Sequence, residues 1–266
     1  MSDRSIRFTH AITRAPGHSI TGGLRAVDVG APDLALMQRH HADYVAALKS
    51  TGAAVIELPA LEAFPDAVFV EDTALCLPHG AVIMRPGAPS RLGEAAEMAP
   101  HLEWLYGEVA WITGPGFIEG GDILTTGHEV LVGRSARTDA AGIAELAGIV
   151  ARWGYSLREV ATQPGVLHFK TDCSLLDPET VLATPRLDAS GCFKGYRVIH
   201  TGDGEEAAAN AIRFNDSVLM AAGFPRTAER LMTAGFAVQE IGNSECAKLD
   251  GGMSCLSLRF SPPVRT

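Results

Sequence analysis

Val68-Phe69-Val70-Glu71-Asp72-Thr73-Ala74-Leu75-Cys76-Leu77 reads as a strand, Pro78-His79-Gly80 as a turn, and Ala81 to Arg85 as a returning strand. Arg91 to Tyr106 then carries Leu92, Ala95, Ala96, Ala99, Leu102 and Leu105 at the spacing of one helical face. Glu108 to Ile112 follows as a short apolar strand. The same order recurs at once. GDILTT and EVLVG flank Gly127, Thr138 to Trp153 has a helical pattern, and YSLREV closes the unit. A third hairpin turns at Asp177-Pro178, between LHFKTDCSLL and TVLATP. A degenerate linker around Ala189–Gly195 and the strand YRVIH follow it. A fourth turns at Asn215-Asp216, with a helix from Pro225 to Ala234 and the strand FAVQEI.

The fifth copy is split. MSCLSLRF (253–260) lacks a return strand, and RFTHAITR (7–14) lacks a partner, with a helix at Asp33 to Ser50 and AAVIEL (53–58) after it. Pairing these two terminal strands closes a ring of five hairpin–helix–strand units. Closure removes exposed sheet edges, and each unit buries its apolar face against its neighbours. An ordinary α/β sandwich with five unrelated hairpins accounts for the order of elements equally well. No linker or low-complexity tract divides the chain, so residues 1–266 are expected to form a single domain.

Composition narrows the class. The 266 residues are 47% hydrophobic and 20% charged, an ordinary globular balance. With 31 acidic and 22 basic side chains the formal charge is −9, which disfavours nucleic acid or an anionic membrane as partner. The start MSDRSIRFTH is too charged for a signal peptide. Five cysteines without a CxxC pair argue against a disulfide framework or zinc ribbon. A cytoplasmic protein in a reducing compartment is the expectation.

Polar residues interrupt the strand pattern at matching places in the units. Glu71 and Asp72 sit in the first, Glu119-Gly120-Gly121-Asp122 in the second, and His168 with Lys170 in the third. Asp250-Gly251-Gly252-Met253-Ser254-Cys255 sits in the split unit. Taken singly each is weak: carboxylates fit a solvated strand end, a lone histidine is commonly structural, and a buried cysteine is commonly a small hydrophobe. Together they supply a thiol, an imidazole that could assist it, and acids that favour a cationic electrophile such as a guanidinium.

In combination these motifs resemble the dimethylarginine dimethylaminohydrolase family of the guanidine-modifying (pentein) superfamily. The resemblance runs through FPDAVFVED, MRPGAPSR, EGGD, GRSART, VLHFK, the AAN segment, FPRT and DGGMSCLSLRF, in order, along nearly the whole chain. It implies a five-bladed α/β propeller of pseudo-fivefold symmetry, and hydrolysis of N-omega-methylated arginine to citrulline and an amine. Cys255 is then the nucleophile, His168 the acid and base, and Glu119 its orienting partner. Asp72 pairs with the guanidinium. Asp66 and Glu71 take the substrate ammonium, and Arg91 and Arg137 its carboxylate. Backbone groups near Leu24 and Leu249 complete the cradle, with the loop GHSITGGL (17–24) as a lid.

No cofactor is implied, and no zinc site is expected from His40, His41 or His79, which have no thiol or carboxylate partner at ligand spacing. The expected partner is a small-molecule substrate, with a homodimer left open. The sequence departs from the related deiminases, which commonly have an aspartate two residues after the histidine; here that position is Lys170. Arg213, after the AAN segment, is a second departure. Arginine deiminase, agmatine deiminase, citrulline hydrolase and a catalytically silent pentein remain the alternatives.

Overall fold

The computed structural model describes residues 4–263. Chain order gives β1 (His10–Arg14), α1 (Leu34–Ser50) and β2 (Ala54–Leu58), then β3 (Ala74–Leu77), β4 (Gly80–Ile83), α2 (Ala99–Tyr106) and β5 (Ala110–Trp111). β6 (Ile123–Thr125), β7 (Val130–Arg134), α3 (Ala140–Ala151) and β8 (Leu157–Ala161) repeat the pattern. β9 (Cys173–Asp177), β10 (Thr180–Ala183), α4 (Pro185–Asp188) and β11 (Arg197–His200) repeat it again. β12 (Ile212–Phe214), β13 (Ser217–Ala221), α5 (Pro225–Thr233) and β14 (Ala237–Ile241) follow, and β15 (Leu258–Phe260) ends the chain.

Each unit is a three-stranded sheet. Its first two strands are antiparallel, and the third runs parallel to the second after a helical crossover. The terminal unit is assembled as the sequence suggests: β15 pairs antiparallel with β1, opposing Phe260 to His10, and β1 pairs parallel with β2. Five small sheets in pseudo-fivefold array make the expected α/β propeller. The degenerate linker of the third hairpin unit holds only one helical turn, α4, started by Pro185 and capped by the Thr184 hydroxyl. Proline at the first helical position suits that start and the short segment gives no second turn.

Two segments differ from the sequence reading. Val68 to Leu77 is not one strand: Val70–Thr73 is a 3-10 turn, and the strand begins at Ala74. Arg91 to Tyr106 is not one helix: 3-10 turns at Pro89–Arg91 and Ala95–Glu97 precede α2, which begins just before Pro100. Proline lacks the N–H that a continuous helix needs there.

The core lies between units, where apolar faces meet. Ile12, Ala81, Ile83, Leu102 and Phe260 pack together, as do Leu131, Val160, Phe169, Leu175 and Phe193. Each such large side chain contributes roughly 1.5–3 kcal/mol of burial, so closing the ring is what holds the short strands in place. No helix among the described residues is long and apolar enough to cross a membrane.

Candidate active site

A 3-10 turn precedes the inner strand of every unit: Val70–Thr73, Gly120–Asp122, Phe169–Thr171, Glu206–Ala209 and Ser254–Leu256. The turns of neighbouring units touch around the axis. Because each inner strand starts at the axis, the polar residues of its turn collect at one end of the ring. This is why residues 183 positions apart in sequence, such as Glu71 and Ser254, hydrogen-bond.

His168 precedes the third of these turns, and its Nε2 lies 2.6 Å from Glu119 Oε2 and 4.0 Å from Asp72 Oδ1. All three side chains are buried. Glu119 also accepts N–H bonds from Gly87 at 2.9 Å and Ala88 at 3.4 Å, and lies 3.4 Å from Arg137. Burial works to raise the Glu119 pKa, but the His168 bond and the charges of His168, Arg91 and Arg137 hold it down at about 2. Burial alone would lower the imidazole's pKa. The carboxylates of Asp72, Asp122 and Glu119 outweigh it and lift His168 to about 9. The pair is therefore imidazolium and carboxylate at neutral pH.

Glycine is required where these groups converge. A Cβ on Gly121 would stand 2.6 Å from His168 Nδ1 and 2.9 Å from Asp72 Oδ1. One on Gly120 would stand 1.9 Å from the Glu71 carbonyl oxygen. The glycines of EGGD thus admit the imidazole and the neighbouring turn. Asp122 accepts from the Phe169 N–H at 2.8 Å and from the Ser135 hydroxyl at 2.6 Å, anchoring the His168 turn.

Cys255 lies in the last turn, buried, with its Sγ 3.5 Å from the Gly252 N–H and 3.9 Å from Asn210 Nδ2. Burial, then the negative charges of Glu71 and Asp72, push its pKa up to about 12. The unliganded thiol is neutral. Asn210 was not singled out in the sequence beyond its place in the AAN segment. Its Oδ1 accepts from the Ser254 N–H at 2.8 Å, so one side chain ties two units together beside the thiol.

The substrate-end residues divide. Leu24 donates its N–H to Asp66 Oδ1 at 2.9 Å, and a Cβ on Gly23 would touch both Asp66 and the Leu249 side chain. Leu24, Asp66 and Leu249 therefore come together under the 17–24 loop. Ala26, just beyond it, donates to Asp250 Oδ2 at 2.6 Å. Burial raises the Asp66 pKa, against the opposing charge of Arg91.

Two of these residues have partners within the protein. Arg91 is buried and its guanidinium is held by carboxylates of the protein, Asp72 at 2.6 Å and Glu94 at 2.5 Å. Glu94, which completes this clamp, carried no signal beyond its helical spacing from Arg91. Glu71 does not join Asp66: its oxygens are taken by Lys170 at 2.6 Å, Arg259 at 2.6 Å and the Ser254 hydroxyl at 2.7 Å. Burial would raise the Glu71 pKa, but those two cations more than reverse it. Arg137, half-buried and in contact only with Glu119 among the described carboxylates, is the arginine left near the site.

Neither His40, His41 nor His79 joins a ligand cluster. The groups that do converge are Asp72, Glu119 and His168, whose nearest ligand atoms lie within 4.8 Å of one another. A divalent cation there would have to displace the proton between His168 and Glu119.

Five such units around an axis, with a thiol, an imidazole and acids gathered from separate turns, define a pentein of the guanidine-modifying type. The arginine deiminase family model matches residues 60–219. The N(G),N(G)-dimethylarginine dimethylaminohydrolase of Pseudomonas aeruginosa is 39% identical over 95% of this chain and 100% of its own length, and that of Streptomyces coelicolor 33% identical over 94% and 96%. A cysteine-to-serine mutant of the Pseudomonas enzyme complexed with citrulline superimposes with a TM-score of 0.93, covering 96% of this chain and all of that one. The chain belongs to the dimethylarginine dimethylaminohydrolase family.

Proposed function

We propose that this protein hydrolyses N-omega-methylated arginine, asymmetric dimethylarginine or monomethylarginine, to L-citrulline and dimethylamine or methylamine. The observation that carries the reading is the buried His168–Glu119 pair, 2.6 Å apart, in a ring of turns that also holds Asp72 and Cys255. It is supported by a dimethylarginine dimethylaminohydrolase structure, 39% identical to this chain, of a histidine-to-glycine mutant in an adduct with S-methyl-L-thiocitrulline.

The chemistry follows from charge. Thiol and imidazolium are the resting forms, so the site holds carboxylates in excess and attracts a cation. Asp72 accepts guanidinium N–H bonds through the oxygen that faces the His168 pair, while Arg91 holds its other oxygen. A bound guanidinium beside Cys255 offsets the charges that raise its pKa, and the thiol then loses its proton to solvent as the substrate arrives. Sγ attacks the central carbon. His168, charged and held by Glu119, gives a proton to the departing amine and leaves a covalent thiouronium. The neutral imidazole next takes a proton from water, the hydroxide adds to the same carbon, and the C–S bond breaks to release citrulline and the thiol. Asp66, under the Leu24 loop, and Arg137 are the groups placed to meet the amino-acid end of the substrate.

Mass-spectrometric analysis of products from arginine, monomethylarginine, asymmetric dimethylarginine, citrulline and agmatine tests the reading. Citrulline should form from the methylated arginines. Ammonia released from arginine or agmatine at a higher rate would replace it with a deiminase.

A further inference from the structure

The other end of the ring holds a cavity. A cavity of about 830 Å³ runs along the inner strands from the hairpin turns, and none of Cys255, His168, Asp72, Glu119 or Asp66 lines it. Its floor is Glu71, Gly120, Lys170 and Ser254, the far side of the turns that build the active site. Its volume is that of a small-molecule pocket, not of a packing defect.

The charge of this cavity is opposite to that of the chain. Lys170, Arg259, Arg213 and Arg4 line it, with His79 and His128 at exposed positions by the turns. Glu71 is the one carboxylate in the lining, and it is already shared between Lys170 and Arg259. Among the described residues Arg4 and Arg213 are in no salt bridge. In a chain of charge −9 this leaves a local excess of positive charge in the cavity. Low-dielectric walls strengthen such a field.

The walls are apolar: Leu75, Leu124, Leu175, Ile212 and Leu258 contribute. One polar group on the wall is unsatisfied. Ser174 is 4% exposed and its hydroxyl has no hydrogen-bond partner among the described residues. We infer that this cavity is a binding site for an organic carboxylate with an apolar body, its head among the arginines and its tail against the leucines. The site is separate from the catalytic one and does not depend on the reaction proposed above.

Calorimetric titration of the full-length protein with octanoate tests this, with octylammonium as the control of opposite charge and the same tail. Octanoate should bind one to one, with or without saturating citrulline, and octylammonium should give no heat. Arg4→Gln together with Arg213→Gln should weaken octanoate roughly tenfold, the loss of charge-assisted contacts, while the paired Arg→Lys changes keep affinity within about threefold. Thr125→Trp, at a half-buried wall position, should block binding by filling the space. Circular dichroism and citrulline formation confirm that each variant is folded. Absence of binding up to about 10 mM, equal binding of octylammonium, displacement by citrulline, or unchanged affinity in the Gln variant would each overturn the proposal.

Discussion

Glu71 and Asp72 are adjacent in sequence, equally buried, and serve opposite ends of the ring. Asp72 faces the catalytic end, between Arg91 and the His168–Glu119 pair. Glu71 faces the rear cavity, locked to Lys170 and Arg259. A 3-10 turn places consecutive side chains about 120° apart, so one peptide step separates two environments. The lesson is that a carboxylate's sequence position does not give its role; the cation that meets it does. Asp72 keeps one oxygen toward the reacting groups, whereas both Glu71 oxygens are spent on the scaffold.

The largest effect expected at the catalytic end is from Cys255→Ser. The hydroxyl is nearly isosteric but far less acidic, so kcat should fall at least ~10³-fold while the melting temperature stays close to wild type. Activity within tenfold of wild type would take Cys255 out of the nucleophile role.

His168→Gln comes next, with kcat lowered about 10²–10⁴-fold and a covalent adduct visible by intact mass if release suffers more than attack. The same pair has a pH signature in stability. His168 has its pKa raised to about 9 on folding, so its contribution is whole below about 6.5 and is lost as pH rises through 9. Glu119 is lowered to about 2, so its contribution is whole above about 4.5 and is lost as pH falls toward 2. Both contributions are complete only between those limits. Thermal melts from pH 3 to 10 should show wild type losing stability on both sides relative to Glu119→Gln; parallel curves would deny that the pair is charged.

The two neighbours themselves give the sharpest contrast. Glu71→Gln leaves Lys170 and Arg259 as buried cations with no carboxylate partner among the described residues, and should cost about 3–5 kcal/mol of stability. Asp72→Asn should instead fall mainly in kcat/KM, by roughly 10²-fold, because it removes charge where the guanidinium binds. Denaturant unfolding and initial rates on both variants check the division. Equal losses of rate and stability in the two would erase the distinction between the ends.

The ring itself was legible in the sequence. The hairpin order repeated, and the terminal strands carried complementary halves of one unit, later paired through β1 and β15. The turns were not, because Val70–Thr73 is short, and periodicity over four residues does not separate a 3-10 turn from a strand. Cys255 and Glu119 stood out beside paired glycines, and His168 by sharing their place in the repeated units. The partners of Arg91 and Glu71 did not. Arg91 meets Asp72 across 19 positions, and Glu71 meets Arg259 across 188. The first is made by the folding of one unit and the second by ring closure, and neither leaves a local pattern.

The smallest effect concerns selectivity, and it depends on where Lys170 goes. An unsubstituted guanidinium presents N–H donors on both terminal nitrogens, so a site for arginine benefits from acceptors on both sides. The position two residues after His168 holds a lysine, which accepts nothing. The side chain is buried and not solvated, with its ammonium on Glu71 and its outline part of the rear cavity floor. Lys170 therefore neither accepts from the substrate nor repels it at close range, and one side of the guanidinium lacks an acidic partner there. Methyl groups have no N–H to leave unsatisfied, so methylated arginine should gain roughly 1–3 kcal/mol over arginine in kcat/KM, or about 5- to 150-fold. Initial rates of citrulline formation on arginine, monomethylarginine and asymmetric dimethylarginine measure it. Lys170→Met should lower stability but leave the ratio unchanged, since the side chain already points to the other end. A ratio near one in the wild type would show that the unpaired side of the site is satisfied by something other than this position.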